Sequence, residues 1–255
     1  MNDIRLSVAT LVDISPLEFG ENFFRKIIDK DCRFAPKTLS IDPMKYQYDG
    51  VKSIEREWLR ESEIPDDADP GKTRKIRSSF HWQGNEDPVK FGSVNFPKKN
   101  DYGEVGNGLI SIRANYAESE LWVSLFKKIC SLSSPFWGFV HVIADEETYI
   151  DTAGSRVDRY CKPVTTKAYR TREFPNLASL NFIRDDMVDP AIWPQIQAAG
   201  FPVERFLDGY LLRVSSGFAD ILDDFPVFSR RRAELKAFFP VDLFRIKEEP
   251  PAIRR

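Results

Sequence analysis

The chain has 255 residues, and its 37 lysines and arginines nearly balance its 39 aspartates and glutamates, for a formal charge of −2. That balance gives no bulk electrostatic drive toward nucleic acid or an anionic membrane. A hydrophobic content of 42%, with 13% aromatic residues, supports a globular core, in one domain over 1–255 or in two sub-lobes, 1–150 and 151–255.

Nothing in the chain approaches the roughly 20 apolar residues of a membrane span. The opening MNDIRLSVATLVDISP alternates and carries charge, so it lacks the apolar run of a signal peptide. Cys32, Cys130 and Cys161 are an odd number of cysteines without CxxC spacing, which agrees with a reducing compartment, and action in the cytoplasm is expected.

In chain order, Ile4, Leu6, Val8, Thr10 and Val12 share one face of an opening strand. Ser15, Pro16 and Glu18 then supply the N-cap, N1 proline and capping-box glutamate of a helix that buries Phe23, Phe24, Ile27 and Ile28 and ends before Pro36. A second helix is predicted from near Asp49 to before Pro65, with Val51, Ile54 and Trp58 inward and Glu55, Arg56, Glu57 and Arg60 toward water. Residues 64–79 show no apolar period and read as an exposed loop. FHWQ, residues 89–96 and the strand at Leu109 are separated by turn-rich segments, the pattern of an antiparallel meander.

Residues 108–147 read as strand, helix, strand. Ile110, Ile112 and Ala114 alternate with Ser111, Arg113 and Asn115. Asn115 is the expected N-cap, with Glu118 reaching back, Glu120 in the first turn and Lys127 and Lys128 in the last. Leu121, Trp122, Leu125, Phe126, Ile129 and Leu132 form the buried stripe, and Cys130 beside them is a small core residue. Residues 135–143 are apolar on both faces, which predicts a strand in the middle of a sheet. Beyond them, 151–174 is polar and basic, a long loop or irregular arm. LASLNFI is a strand, DPAIWPQIQAAG a short helix, GYLLRVS a strand, and Ser229 caps a final helix ended by Pro240. The fold class is α+β, a largely antiparallel sheet with helices packed on it.

His81 and His141 lie inside apolar strand runs without metal-ligand spacing and read as structural residues. GEVGNG leads into a strand, the reverse of a dinucleotide fingerprint, and there is no P-loop or GxSxG. Asp223, Asp224, Glu234 and Lys236 have the composition of a metal-dependent nuclease or hydrolase, which is the alternative function. That chemistry needs a strand at 231–238, where the sequence reads as helix. No cofactor or metal is expected. Acid gathers instead at three predicted loops: Asp66, Asp67 and Asp69; Asp145, Glu146 and Glu147; and Asp185 and Asp186 with Asp189. Such loops can present a complementary surface to a basic protein partner.

The alternating N-terminal strand with its capped helix, WVSLFKKI followed by PFWGFVHVIADEE, and then FPNLASLNFIRDD and DGYLLRVSSGFADI occur in an order that resembles bacterial immunity proteins of polymorphic-toxin and type VI secretion systems. Among these the chain looks most like the immunity protein 52 family, from Ile4 to Ile221. The resemblance implies an α+β protein that is not an enzyme. It implies a cognate toxin effector as partner, commonly a restriction-endonuclease-like nuclease, with no direct contact to nucleic acid or membrane. A self-associating adaptor is a third possibility, which mass in solution tests.

Overall fold

The computed structural model describes residues 3–31, 33–41, 44–66, 69–77, 79–84, 89–97, 106–116, 118–150, 152, 156–158 and 173–250. The strands are β1 (Asp3–Thr10), β2 (Pro36–Ile41), β3 (Met44–Gln47), β4 (Ser62–Asp66), β5 (Asp69–Ile76), β6 (Ser79–Gly84), β7 (Val89–Asn95), β8 (Gly108–Asn115), β9 (Pro135–Val142), β10 (Thr148–Ile150), β11 (Arg156–Asp158), β12 (Leu180–Arg184), β13 (Val203–Phe206) and β14 (Gly209–Arg213). The helices are α1 (Leu17–Phe23), α2 (Glu55–Trp58), α3 (Ser119–Ser133), α4 (Ile192–Ala198), α5 (Asp220–Asp223) and α6 (Phe225–Lys236). Ten strands form one antiparallel sheet in the order β13-β14-β12-β9-β1-β8-β7-β6-β2-β3. The architecture is α+β, and among the described residues no helix is long and apolar enough to cross a membrane.

The register explains which side chains meet. Opposite residues share a face, so Leu6 lies in one row with Ile112 and Val140, and Val8 in another with Ile110 and Gly138. This face is apolar along both halves of the sheet and carries the first three helices. Phe23 and Phe24 meet the Trp82 ring at centroid distances of 5.9 and 5.5 Å, and Trp58 meets Phe80 and Phe96 at 5.0 Å. Gly138 admits the ring of Phe126 from α3, since a Cβ there would lie 2.9 Å from it.

The opposite face changes character across the sheet. One transverse row reads His81, Ser93, Ser111, Ser7, Phe139, Asn181, Leu212, Val203. From β9 onward this face is covered: Trp137 stacks on Phe174 at 3.8 Å, and Trp193 of α4 on Tyr210 at 4.4 Å. Every residue of β9 is buried, as expected of a strand covered on both sides. The expected meander is present as β6, β7 and β8, successive antiparallel neighbours.

Tertiary contacts overrode several local readings. β8 and β9 do not pair with each other; β1 lies between them, and α3 carries the chain across. Asn115 ends β8 opposite Asp3 and is buried, so Glu118 takes the N-cap position of α3 without a side-chain cap. That helix runs on to Ser133, which leaves Lys127 in its middle, paired with Glu204 at 2.7 Å. β1 stops at Thr10, whose hydroxyl donates to the Ser133 carbonyl at 2.5 Å, and Val12 is left exposed. Pro16, not Ser15, sits at the N-cap of α1; the Ser15 carbonyl instead accepts from the Trp58 indole at 2.9 Å. The second helix is one 3-10 turn (Val51–Ile54) and one α turn, and Glu57 is buried beside Arg56 and Arg60. Residues 62–66 and 69–76 form an antiparallel ribbon, β4 with β5, where the sequence reads a loop over 64–79. One rung pairs Glu63 with Lys75, and no apolar residues alternate along either strand, so apolar periodicity is silent there. Asp224 rather than Ser229 caps α6, accepting the Val227 N–H at 3.0 Å; Ser229 is buried within the helix. Of the expected arm at 151–174, residues 159–172 lie outside the described residues.

Candidate binding surface

Of the eight acidic residues expected to meet a partner, the group after β9 and the group after β12 do not converge. Asp66 is the register partner of Asp69 at the end of the β4–β5 ribbon, and Asp67 lies outside the described residues. Asp145, Glu146 and Glu147 form a 3-10 turn after β9, and Asp185 and Asp186 begin another (Asp185–Met187) after β12. β9 and β12 are antiparallel, with Leu180 opposite Val140 and Ile183 opposite Trp137. These two groups therefore sit at opposite ends of the sheet, roughly 25 Å apart at about 3.3 Å per residue. Asp185 is paired with Arg205 at 2.5 Å and Asp186 with Arg184 at 2.7 Å, so this surface is already partly neutralised.

Glu147 leaves the surface set altogether, because its side chain is fully buried. Its Oε2 accepts from His141 Nε2 at 2.7 Å, and its Oε1 pairs with Arg232 Nη1 at 2.7 Å. The Ser179 backbone N–H donates to His141 Nδ1 at 3.1 Å, which makes Nδ1 the acceptor and puts the ring proton on Nε2. Arg232, also fully buried, reaches Glu249 at 2.6 Å, and Lys236 pairs with the same carboxylate. Burial raises the Glu147 pKa, but the adjacent His141 and Arg232 outweigh it and hold the carboxyl at about 2. Ser179, His141 and Glu147 touch in sequence like a hydrolytic triad, yet all three are buried from solvent, and Arg232 ties up the carboxylate. The network instead fastens β9, α6 and the C-terminal segment together. The structural reading of His141 fits this place. The sequence signal that could have found Glu147 is its position five residues beyond a strand buried on both faces.

Of the alternative nuclease set, Asp223 and Asp224 precede α6, while Glu234 and Lys236 lie ten or more residues further along that helix. At 1.5 Å per residue this separates them by roughly 15 Å, and Lys236 is committed to Glu249 and the Ile246 carbonyl. Among the described residues no group of three His, Cys, Asp or Glu side chains is placed to hold a metal ion.

Two surfaces remain. On the polar face of β6, β7, β8 and β1, Arg5 and Arg113 lie opposite one another and are held by Asp158 and Asp3, while His81 stacks on Phe91 at 5.4 Å. Phe91 and Arg113 on this face are exposed, while Ser7 and Ser93 are buried. The second surface is a cleft of about 470 Å³, with Pro202, Val227 and Phe228 as apolar walls and Asp220, Asp223 and Asp224 as acid. Arg231 forms a further wall, donating to the Val214 and Gly200 carbonyls and stacked on Phe201 at 4.7 Å. β9 and β14 run parallel with β12 between them, so this cleft opens at the same end of the sheet as Asp145 and Glu146. That clustering joins acidic residues 74 or more positions apart, and sequence alone does not reveal it.

No protein-family profile matches the chain, and no curated protein matches it by sequence. Its fold is similar to the solved structure of the Pseudomonas aeruginosa T6SS protein PA0821, with a TM-score of 0.59 and 8% sequence identity over 94% of this chain and 72% of that one.

Proposed function

We propose that the chain is a type VI secretion-associated protein, and within that class an immunity protein that binds a cognate toxin effector and neutralises it by occluding its active site. The observation that carries this reading is the fold shared with a T6SS protein over nearly the whole chain. The sequence resemblance to the immunity protein 52 family supplies the finer assignment. In this reading the chain is not an enzyme, needs no cofactor and acts in the cytoplasm. The toxin is a cytoplasm-acting nuclease, whose substrate cleft must be basic. Acid at one end of the sheet, Asp145 and Glu146 together with Asp223 and Asp224 of the cleft, complements such a surface.

The test is capture of products of neighbouring reading frames by the tagged full chain, followed by rescue of cells expressing the captured protein. Stoichiometric capture with rescue supports immunity; a neighbour that neither binds nor harms cells overturns it. Reversing Asp145, Glu146 and Asp223 to lysine is expected to weaken capture about tenfold or more, and unchanged capture would remove acid complementarity from the reading.

A further inference from the structure

The cleft of about 470 Å³ beside α5 and α6 is lined by Asp220, Asp223 and Asp224 and by the guanidinium of Arg231. Two of the carboxylates have local tasks. Asp220 Oδ2 accepts from the Gly217 N–H at 3.0 Å and holds the loop after β14, and Asp224 Oδ1 accepts from the Val227 N–H at 3.0 Å and caps α6. Asp223 is exposed, and among the described residues its side chain takes part in no hydrogen bond or ion pair. None of the three is paired with a cation. Arg231 is spent elsewhere: it donates to the Val214 carbonyl at 3.1 Å and the Gly200 carbonyl at 3.3 Å, and it lies over the Phe201 ring at 4.7 Å. Three carboxylates against one guanidinium leave two negative charges uncompensated in the cleft.

On a convex surface such carboxylates are simply hydrated. Here they stand around a concavity whose volume lies in the range of roughly 300–1,000 Å³ found for ligand pockets. Pro202 and the half-exposed Val227 give it apolar walls, and Gly200, at φ +82, leaves the rim between them and Arg231 without a side chain. Apolar walls with unpaired acid suit a cation carried on an apolar stem, the stem lying on the walls and the head reaching the carboxylates. Acid also continues outside the cleft, at Asp145 and Glu146 on the same end of the sheet. A free small cation would leave that second group unused, whereas a protein surface would cover both.

We propose that the cleft is a socket for one basic side chain, arginine or lysine, projected by a protein partner, with Asp223 as its carboxylate contact. An arginine can fork onto Asp223 through two N–H···O bonds while its methylenes lie on Val227. The proposal deepens the proposed function and rests on it, the toxin being the partner.

The test has two arms, both on the full chain. In the first, N-acetylarginine amide and its uncharged isostere N-acetylcitrulline amide are titrated while backbone amide NMR signals are followed. The arginine amide is expected to shift Gly200, Ser216 and Val227 saturably and the citrulline amide to leave them in place. Asp223→Asn should weaken the arginine amide about threefold or more, and Val227→Lys, which sets a cation on the wall, should abolish its binding. In the second arm the captured toxin is titrated with wild type and both variants, and each is expected to bind about tenfold or more weakly at an unchanged melting temperature. No saturable shift, or equal binding of the two amides, overturns the socket and leaves the proposed function standing. Selective binding of the arginine amide with toxin affinity unchanged in both variants makes the cleft a small-cation site and overturns the protein occupant. A wild-type chain that captures no toxin overturns the proposed function, and the first arm alone then decides whether the cleft selects a cation.

Discussion

The two halves of the sheet are built on different terms. From β6 to β1 one face holds the aromatic cluster of Phe23, Phe24, Trp58, Phe80 and Trp82, and the other shows serines, His81 and paired arginines. From β9 to β14 both faces are covered, and the second layer contains a buried ionic network, His141, Glu147, Arg232 and Glu249. Covering a sheet on both sides removes water from any charge trapped there, so such charges must satisfy one another. In the other half the Arg113–Asp3 pair stays partly exposed, and a pair there contributes little.

Substitution should separate the two modes. Arg232→Ala leaves Glu147 and Glu249 without their shared guanidinium and is expected to cost about 3–5 kcal/mol. Trp82→Ala in the other half should cost about as much, through cavity formation instead. Urea unfolding of each checks both, and a small loss for Arg232→Ala would break the contrast. The halves should then differ in acid. Because Glu147 is held at about 2, the folded chain binds fewer protons than the unfolded chain below the ordinary carboxyl value of 4.5. Its stabilisation is complete above pH 4.5 and is lost as pH falls through about 2. Glu147→Gln should therefore be less stable than wild type at neutral pH, with the gap closing over that interval; a constant gap would contradict the assignment.

Smaller effects lie at the sheet edge and at the Arg113–Asp3 pair. Leu207→Asn is expected to gain up to about 1 kcal/mol by relieving the left-handed backbone of Leu207, at φ +52, measured by the shift in urea midpoint. Arg113→Ala removes one cation from the half-exposed Asp3 pair and should cost roughly 0.5 kcal/mol in low salt, less in high salt. A loss of several kcal/mol there would mean that the Arg113–Asp3 pair does not behave as a solvated one.

The sequence by itself determined the elements whose side chains obey a strong period. β9 is apolar on both faces and lies inside the sheet; α3 buries Trp122, Leu125, Phe126 and Ile129 as its stripe requires. The meander of β6, β7 and β8 was legible for the same reason. Where periodicity is weak the reading failed: the charged β4–β5 ribbon alternates no apolar residues, and VERF of β13 turns through a leucine where turn chemistry favours Gly or Asn. Only the tertiary structure decided that β1 separates β8 from β9, that Glu147 is interior while Asp145 is exposed, and that Asp223 shares an end of the sheet with Asp145. Local sequence specifies which way a side chain faces on its own element. Strand order and long-range pairing specify what stands opposite it, and whether a carboxylate meets water, an arginine or a partner depends on that second fact.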